Sequence, residues 1–437
     1  MMVLENEFLL KGWFAVFRRL KASFFIALRY LWIRAHEGGR YLRGAVAGIA
    51  VSLVPIIITL IVADGMIRGI TDRYLELGTG HLQVFDSMYF GWGDAIEKIN
   101  KMDDVRGVWL ERRGMGVLAG QNGKTGVTVR SIDSSFWDER GSFKFLKIID
   151  GVHTPQTDRD IVIGGTLAEN IGAGVGDTVR LMTVRSNEAG RLIPRMASFT
   201  VRGIMSCGYN ELDALWCIIN DSGGDRVLSA DQTQSSLLVK IDDPYRNTEI
   251  FKNKLYDNLG QNYYLYTWKE LLRSQYSAYE TSRQLLLFIM ALIVVVAAVN
   301  VSSATSMLVL ERQRDIAVLK ISGASIGGVT RIFLIGSFLT GLVGSIIGIT
   351  LGLLIGSNIN FLIRSLEKLL SFFSGLFNRG EVKILDPGFY LETIPIIIDW
   401  KTVFLIGLFA IFCSIFASLI PAVKAGKLKP MDLLRKT

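Results

Sequence analysis

The sequence is poor in the residues that usually perform catalysis or bind metals. Among 437 residues there are only three histidines and three cysteines. His36, His81 and His153 are far apart and form no HExxH motif, and no cysteine pair has CxxC or zinc-finger spacing. Cys207 and Cys217 are either a disulfide, in an oxidising compartment, or two free thiols. We therefore expect no catalytic residue, no metal site and no bound cofactor in this chain.

The chain also lacks a phosphate-binding loop. The stretch GQNGKTG at 120–126 resembles one, but the motif requires a glycine where Leu118 stands. An Asn122–Gly123 turn between two strands explains it better. The glycines of GAGVGD at 172–177 do not have dinucleotide-fold spacing and predict a loop that enters a strand.

Charged residues are absent from four long apolar runs. These runs are Ala45 to Ala63, about Leu285 to Leu310, about Ile332 to Ile355, and about Val403 to Val423. Each is long enough to cross a bilayer as a helix. With no charge inside a run there is no proton or ion relay, which argues against a secondary transporter.

The positions of lysine and arginine predict how the chain crosses the membrane. The segment before the first run has eight basic and three acidic residues, the 311–331 loop four and two, and the tail after Val423 five and one. Basic flanks face the cytoplasm, so both termini and this loop are expected there. The net charge of +8 is thus a topology signal and does not indicate nucleic-acid binding.

The predicted fold is an α-helical membrane protein with four transmembrane helices and an α+β domain inserted between helices 1 and 2. Runs such as GVTVRSI and DTVRLMTV predict strands of that domain. The domains are 1–43, a cytoplasmic tail with an interfacial amphipathic helix; 44–64, the first membrane helix; 65–283, the external domain; and 284–437, the other three membrane helices.

The stretch ERQRDIAVLKISGAS at 311–325 is longer and more charged than a simple return between two membrane helices needs. We predict that the helix continues out of the bilayer as a lever that contacts a cytoplasmic partner. Ile316, Val318 and Leu319 supply apolar contacts, and Gly323 allows the tight return. The alternative is a solvated loop.

Two further patterns suggest packing and binding. Gly344, Gly348, Gly352 and Gly356 recur every four residues in the third run, as in helices that approach a neighbour closely. Between strand-like segments, RSNEAGRLIPRM at 185–196 forms a basic twelve-residue link that suits an acidic partner surface. The alternative for this link is an ordinary polar loop.

Several segments resemble a known family of permeases. Residues 285–356 look like the FtsX-type permease domain of the MacB and Lol class of ABC transporters. FIALRYLWIRA, DIVIGGTLAENIGAGVGDTVRLMT, IPRMASFTVRGIMSCGYNELD, GFYLETIPI and SLIPAVKAGKLKPMDLLR are similar in order and spacing to the LolC/LolE family. The resemblance extends from about residue 25 to the C-terminus.

This resemblance implies a permease subunit that extracts lipoproteins from the inner membrane of a two-membrane bacterium and passes them to a periplasmic carrier. The external domain would then be a MacB-like periplasmic domain. The implied partners are a LolD-like ATPase dimer, which would hold the ATP and Mg, a second permease subunit, identical or related, a LolA-like carrier and the lipoprotein cargo. Each buried CH₂ of a lipid anchor contributes about 0.8 kcal/mol, so release needs ATP.

The resemblance also assigns roles to particular residues. The segment that contacts the ATPase would include Glu311, Arg314, Asp315, Ile316, Leu319, Gly323 and Ala324. The hook that holds the carrier would include Arg185, Arg191, Pro194 and Arg195. The lipoprotein cavity, formed by the first two membrane helices of both subunits, would be lined by Val54, Ile58, Val62, Met66, Phe288 and Met290.

Three alternatives remain open at this point. One is a MacB-like mechanotransmission permease for efflux, which usually has its ATPase on the same chain. Another is an FtsX-like signalling subunit that activates a cell-wall hydrolase, although those external domains tend to be smaller. A membrane enzyme is the third, without a nucleophile and base to support it. Within the family, the residues do not decide between a LolC-like subunit, a LolE-like subunit and a homodimer that performs both tasks.

Overall fold

The structure is a computed structural model that describes residues 24–25, 39–86, 91–186, 192–228, 233–260, 262–376, 391 and 393–429. Of the interfacial helix expected within residues 1–43, Phe24 and Phe25 are described, and both are helical and exposed. The last eight residues lie outside the described part of the chain. The chain forms two compact units. The membrane unit comprises Met1–Asp64, Thr281–Leu362 and Ile396–Thr437, and the sheet unit comprises Gly65–Glu280 and Ile363–Pro395.

Among the described residues, four helices are long and apolar enough to cross a bilayer, and they contain the four apolar runs. They are α1 (Gly39–Arg73), α10 (Arg273–Glu311), α12 (Ile326–Ser357) and α14 (Trp400–Lys427). All four extend beyond the apolar runs. The short helix α11 (Gln313–Ile321) lies between α10 and α12, and α13 (Ile359–Leu376) follows α12.

The glycine ridge of α12 packs directly against α1, as its spacing predicts. A Cβ atom added to each of these glycines would lie within 3.0 Å of an isoleucine or leucine side chain of α1. The facing pairs are Gly344 with Ile49, Gly348 with Leu53, Gly352 with Ile57, and Gly356 with Ile61. About one turn before Gly344, Gly341 faces Ser414 of α14. Helix α12 is therefore held tightly between α1 and α14.

The sheet unit is built on a ten-stranded mixed sheet. Its order is β10-β1-β9-β2-β3-β8-β5-β7-β4, with β6 paired to β2 and β7. The β3–β8 and β5–β7 pairs are parallel and the others antiparallel. The strands are β1 (Leu82–Asp86), β2 (Val105–Ala119), β3 (Lys124–Ile132), β4 (Lys147–Gly151), β5 (Asp160–Gly164), β6 (Thr178–Ser186), β7 (Leu192–Ser206), β8 (Trp216–Ile219), β9 (Gln234–Ile241) and β10 (Tyr263–Thr267).

Short helices connect these strands. They are α2 (Gly93–Asn100), α3 (Ser135–Asp138), α4 (Arg140–Phe145), α5 (Gly165–Ile171), α6 (Asn210–Asp213), α7 (Asp221–Val227), α8 (Thr248–Leu259) and α9 (Trp268–Leu271). A π-helical turn, Tyr74–Thr79, directly follows α1. The β2–β3 connection is the expected hairpin, since Ala119 pairs with Lys124 across the Asn122–Gly123 turn. The GAGVGD segment is the expected loop, and β6 begins directly after it.

Three apolar cores stabilise the sheet unit. One, around Leu118, Ile163 and Phe199, contains Cys217; another, around Phe136, Trp137 and Ile218, contains Cys207. The third joins α2 and α8 to β1 and β9. The two cysteines are free thiols in different cores, so they form no disulfide. Burial raises the pKa of both thiols.

Candidate functional site

The charged segment 311–325 folds into a corner around a short separate helix. Helix α10 ends at Glu311, and Arg312 leaves the helical conformation at φ −96° and ψ 20°. Helix α11 follows, Gly323 turns the chain with φ +92°, and the Ser325 side chain caps α12 by accepting from the Gly328 amide. The expectation of one continuous helical lever is therefore wrong, because the helix is broken at Arg312. The tight return at Gly323 is confirmed.

The apolar residues of α11 divide between two faces. Ile316 is buried in a corner core with Leu308, Val309, Val329, Phe333, Ala422 and Ala425, and Ala317 is buried as well. Val318 is 60% exposed, Ile321 64% and Ile326 53%. Ile316 therefore holds the corner together, and its buried side chain does not present an outward contact as expected. Ile321 and Ile326 were missed, although Val318 and Ile321 have the i, i+3 spacing of one helical face.

The other expected coupling residues lie around the same corner. Glu311, Arg314 and Gly323 are exposed, while Leu319 and Ala324 are half-buried. Asp315 is also half-buried and accepts a bond from Arg312.

The end of α14 belongs to this corner as well. The Lys320 ammonium donates to the backbone carbonyl of Leu428, with 2.6 Å between Nζ and O. Leu428 is the C-cap residue of α14 and packs against the corner core. These residues are 108 positions apart, so no local pattern indicates their contact.

A group of three charges joins the start of α14 to two other membrane helices. The Arg283 guanidinium of α10 donates to Asp64 of α1 at 2.7 Å and to Asp399 at 3.1 Å. Asp399 is the N-cap of α14, and its carboxylate accepts from the Lys401 amide and, at 2.6 Å, from the Thr402 hydroxyl. Charge-assisted bonds of this kind hold helix ends in a defined position. The sequence patterns did not single out Arg283 or Asp399.

An apolar groove of about 270 Å³ lies between α10 and α14. Its walls are Leu287, Met290, Ala291 and Val294 on α10, and Thr402, Leu405, Ile406 and Phe409 on α14. Arg283 is one turn before Leu287, and its bond to Asp399 lies at the same end of the groove as Thr402. The groove thus has apolar walls and a charged end.

Only one of the expected cavity residues, Met290, lines this groove. Phe288 is 63% exposed on a different side of α10. Val54, Ile58 and Val62 are half-buried on one side of α1, and Met66 packs against a core of the sheet unit. The structure of the single chain therefore does not bring the expected set together.

The basic link between β6 and β7 is mostly paired strand. The ladder continues to Arg185–Ile193 and Ser186–Leu192, so Arg185, Pro194 and Arg195 lie in strands. The link between the two strands is therefore shorter than the expected twelve residues, because both strands extend into it as a two-stranded ribbon. Pro194 fits here because no other strand pairs with this part of β7. Arg191 lies outside the described residues.

The ribbon and its neighbour β2 have an apolar outer face. Pairing places Val117, Met182 and Met196 in one row across three strands. Met196 is 62% exposed, and Met115, two residues before Val117, is 87% exposed. Flexible methionines at a surface suit contacts with apolar partners. The sequence patterns did not single out these residues.

Buried charges fasten the π-helical turn to the sheet. Arg130 is fully buried, donates to Glu111 and to the carbonyls of Leu77 and Gly78, and burial lowers its pKa to about 10. Lys240 lies between Glu76 and Glu139, at 3.2 and 2.7 Å. These contacts are ion pairs, and among the described residues no group of His, Cys, Asp and Glu could hold a metal.

His81 lies beside this cluster, and burial lowers its pKa. Its Nδ1 accepts from the Ile241 amide, so the neutral ring carries its proton on Nε2 and donates it to Glu76. For Glu139, burial acts to raise the pKa, but hydrogen bonding from Lys240 outweighs it and the pKa is lowered. The cluster is therefore built around a neutral histidine.

Two family models match the chain. Residues 44–252 match the MacB-like periplasmic core domain, and residues 287–430 match the FtsX-like permease C-terminal domain. Together they include all described residues from 44 to 429 except those between 253 and 286.

Curated relatives match over almost their whole length. The lipoprotein-releasing system transmembrane protein LolC of Neisseria meningitidis serogroup B is 27% identical over 94% of this chain and 98% of its own. LolE of Haemophilus influenzae is 22% identical over 89% and 92%. The crystal structure of the periplasmic region of MacB from Actinobacillus actinomycetemcomitans aligns with 46% of this chain and 94% of that one, at a TM-score of 0.31 and 16% identity.

Proposed function

We infer that this chain, which belongs to the LolC/LolE family of lipoprotein-releasing transmembrane proteins, is a permease subunit of an ABC transporter that extracts lipoproteins from the bacterial inner membrane. The single observation that carries this function is the similarity to LolC along nearly the full length of both chains. Both of the expected parts, the FtsX-like and MacB-like domains, are present.

We propose that a separate ATPase dimer binds the corner formed by α11. The exposed Val318, Ile321 and Ile326 supply apolar contacts, and Glu311 and Arg314 supply exposed charges around them. The basic flanks place this corner in the cytoplasm, where ATP is available. Both termini then lie in the cytoplasm, and the sheet domain, inserted between membrane helices 1 and 2, lies in the periplasm.

We propose that the groove between α10 and α14 holds an acyl chain of the lipoprotein. Its apolar walls lie towards the start of the apolar runs of α10 and α14. With the sheet domain in the periplasm, the start of each of these runs adjoins the outer leaflet, from which lipoproteins are taken. The Arg283–Asp399 pair at its end lies at the level of the lipid headgroups. Val54, Ile58, Val62, Met66 and Phe288 remain candidates for a cavity shared with a second permease subunit, identical or related, which is expected beside α1 and α10.

We propose that the β6–β7 ribbon binds the periplasmic carrier. Arg195 on the ribbon and Arg180 near its base are cationic, and Met182 and Met196 add exposed apolar surface. A surface of both kinds suits a partner with an acidic rim around an apolar opening. Arg185 and Pro194 belong to the same ribbon, and with Arg191 they remain carrier-binding candidates.

The test is release of a triacylated lipoprotein from proteoliposomes that contain the chain, its ATPase and its permease partner. We expect the wild-type complex to transfer lipoprotein to soluble carrier only when ATP is hydrolysed. Ala291→Phe should fill part of the groove and displace two or three CH₂ groups, worth about 2 kcal/mol, so release should fall at least tenfold.

The matched control is Leu408→Phe, which adds bulk to an exposed side of α14 away from the groove. Its release should equal that of the wild type. A wild-type complex that hydrolyses ATP without releasing lipoprotein would refute the function. Equal release by Ala291→Phe and Leu408→Phe would refute the groove assignment alone.

A further inference from the structure

Helix α14 has a polar attachment at each end. At its C-terminal end, Lys320 of α11 donates to the Leu428 carbonyl at 2.6 Å, and Ile316 shares a core with Ala422 and Ala425. A cation at this position is favourable, because the last carbonyls of a helix carry partial negative charge. At its N-terminal end, Asp399 binds Arg283, which also binds Asp64.

The covalent connections of α11 change direction at both of its ends. Towards α10 the helix is interrupted at Arg312, although backbone bonds from the Arg312 amide to Leu308 and from the Ile316 amide to Arg312 span the interruption. Towards α12 the chain turns at Gly323, which has a positive φ. Ile316 packs in a core shared by α10, α12 and α14, whereas the Lys320 bond to Leu428 is a direct contact with the end of α14.

Helix α14 itself is suited to carry a displacement across the membrane. It is one helix of 28 residues, about 42 Å long, and Pro421, which removes one backbone hydrogen bond, lies near its C-terminal end. It is packed closely on α12, since a Cβ added to Gly426 would meet the Ile326 carbonyl at 2.7 Å and one added to Gly341 would meet Ser414 at 3.0 Å. A helix supported along its side moves as a unit more readily than it bends.

We propose that α14 transmits the ATPase-driven movement of α11 to the periplasmic ends of α1 and α10. Lys320 is the positioning residue where the movement enters α14, and Arg283 is the one where it leaves. The inference rests on the proposed function and adds a route through α14 to it. It also links this movement to the acyl groove, because Arg283 and Asp399 lie at the end of that groove.

The experiment measures lipoprotein released per ATP hydrolysed by the reconstituted complex. Lys320→Met keeps the length of the side chain but removes its hydrogen bond to Leu428. Because one hydrogen bond from a charged group is lost, the lipoprotein released per ATP should fall roughly tenfold. The variant chain should still bind the ATPase, and the complex should still hydrolyse ATP. A variant that disrupts the fold would lose both. Lys320→Arg should restore release to within about twofold, because it keeps a cationic donor.

Matched controls lie at the same two ends of α14. Lys424→Met and Lys401→Met each remove an exposed cation whose side chain has no partner among the described residues, and both should release lipoprotein like the wild type. Arg283→Met should behave as Lys320→Met does. If it fails to fold, Asp399→Asn weakens the same contact and still caps the helix.

The double variant tests whether both residues act on one route. If they act in series, the double variant Lys320→Met with Arg283→Met should release as much lipoprotein per ATP as the worse single variant. If they act independently, the two reductions in release should multiply to about a hundredfold. Unchanged release by Lys320→Met, or multiplied losses, would overturn the proposal.

A second readout does not depend on lipoprotein. In a chain with Cys413→Ser, spin labels at Leu285→Cys and Lys401→Cys report the distance between the periplasmic ends of α10 and α14. We expect a non-hydrolysable ATP analogue to change this distance, and Lys320→Met to abolish the change. A distance change that persists in Lys320→Met would overturn the route through α14 even if the cargo were not a lipoprotein.

Discussion

Replacing Gly348 by alanine tests the contact that fixes α12 against α1. The new Cβ would lie 2.8 Å from the Leu53 Cβ, 2.9 Å from the Ala50 carbonyl oxygen and 3.0 Å from the Ala50 Cα. Two of these atoms are backbone and cannot rotate away, so the helices must separate. Overpacking of this kind costs about 1–3 kcal/mol.

Gly336 is the matched control in the same helix. A Cβ there would have nothing within 4 Å, so Gly336→Ala meets no neighbour. Alanine is favoured over glycine within a helix by up to about 1 kcal/mol. Both variants replace a glycine of α12 with alanine, so this favourable contribution is the same in both. It therefore cancels when their free energies of unfolding are compared. Gly348→Ala should therefore be less stable than Gly336→Ala by about 1–3 kcal/mol.

The measurement is the free energy of unfolding of the purified chain in mixed micelles, with increasing SDS and with tryptophan fluorescence as the signal. The wild-type chain provides the reference for both variants. Equal stability of the two variants, within about 0.5 kcal/mol, would show that the close approach of α12 to α1 does not exist in the folded chain.

Two other predictions concern the sheet unit. The folded pKa of His81, which faces Glu76, Arg106 and Lys240, is lowered, so below pH about 6.5 the unfolded state binds the proton first. The free energy of unfolding should then fall as the pH drops, by at most about 1.4 kcal/mol per pH unit. In thermal unfolding between pH 7.5 and 5.5, His81→Gln should make this dependence on pH weaker. The same dependence in His81→Gln and in the wild type would contradict the prediction. Changing Arg185, Arg191 and Arg195 together to Glu should abolish pull-down of the carrier and leave ATPase binding intact. Arg159→Glu, at an exposed position away from the ribbon, is the control, and full pull-down by the triple variant would remove the ribbon assignment.

Features that depend on residues close together in the chain could be predicted from the sequence. The length of the apolar runs predicted four membrane helices, since an uncharged run of about 20 residues has one stable form in a bilayer. The four-residue spacing of glycines predicted the ridge of α12, and Gly323 predicted the return at the corner. The Asn122–Gly123 turn predicted its hairpin. Each of these signals lies within a few turns of helix or within one loop.

The length of the link between β6 and β7 and the continuity of the helix at Arg312 were predicted wrongly. Polar residues at 185 and 186 suggested that the link begins there, but strand pairing with 192 and 193 continues the ladder through them. The apolar run of α10 gave no sign of a break, because the break lies at Arg312, just beyond the end of that run.

Tertiary structure alone decided which distant residues meet. Lys320 and Leu428 are 108 positions apart, and Arg283 lies 219 from Asp64 and 116 from Asp399. The groove between α10 and α14 likewise depends on which sides of two separate helices face each other. The spacing of apolar residues indicates which side of a helix is buried, but it does not indicate which other helix packs against that side. The membrane helices therefore follow from the sequence itself, whereas the corner, the charge triad and the groove follow from how those helices pack.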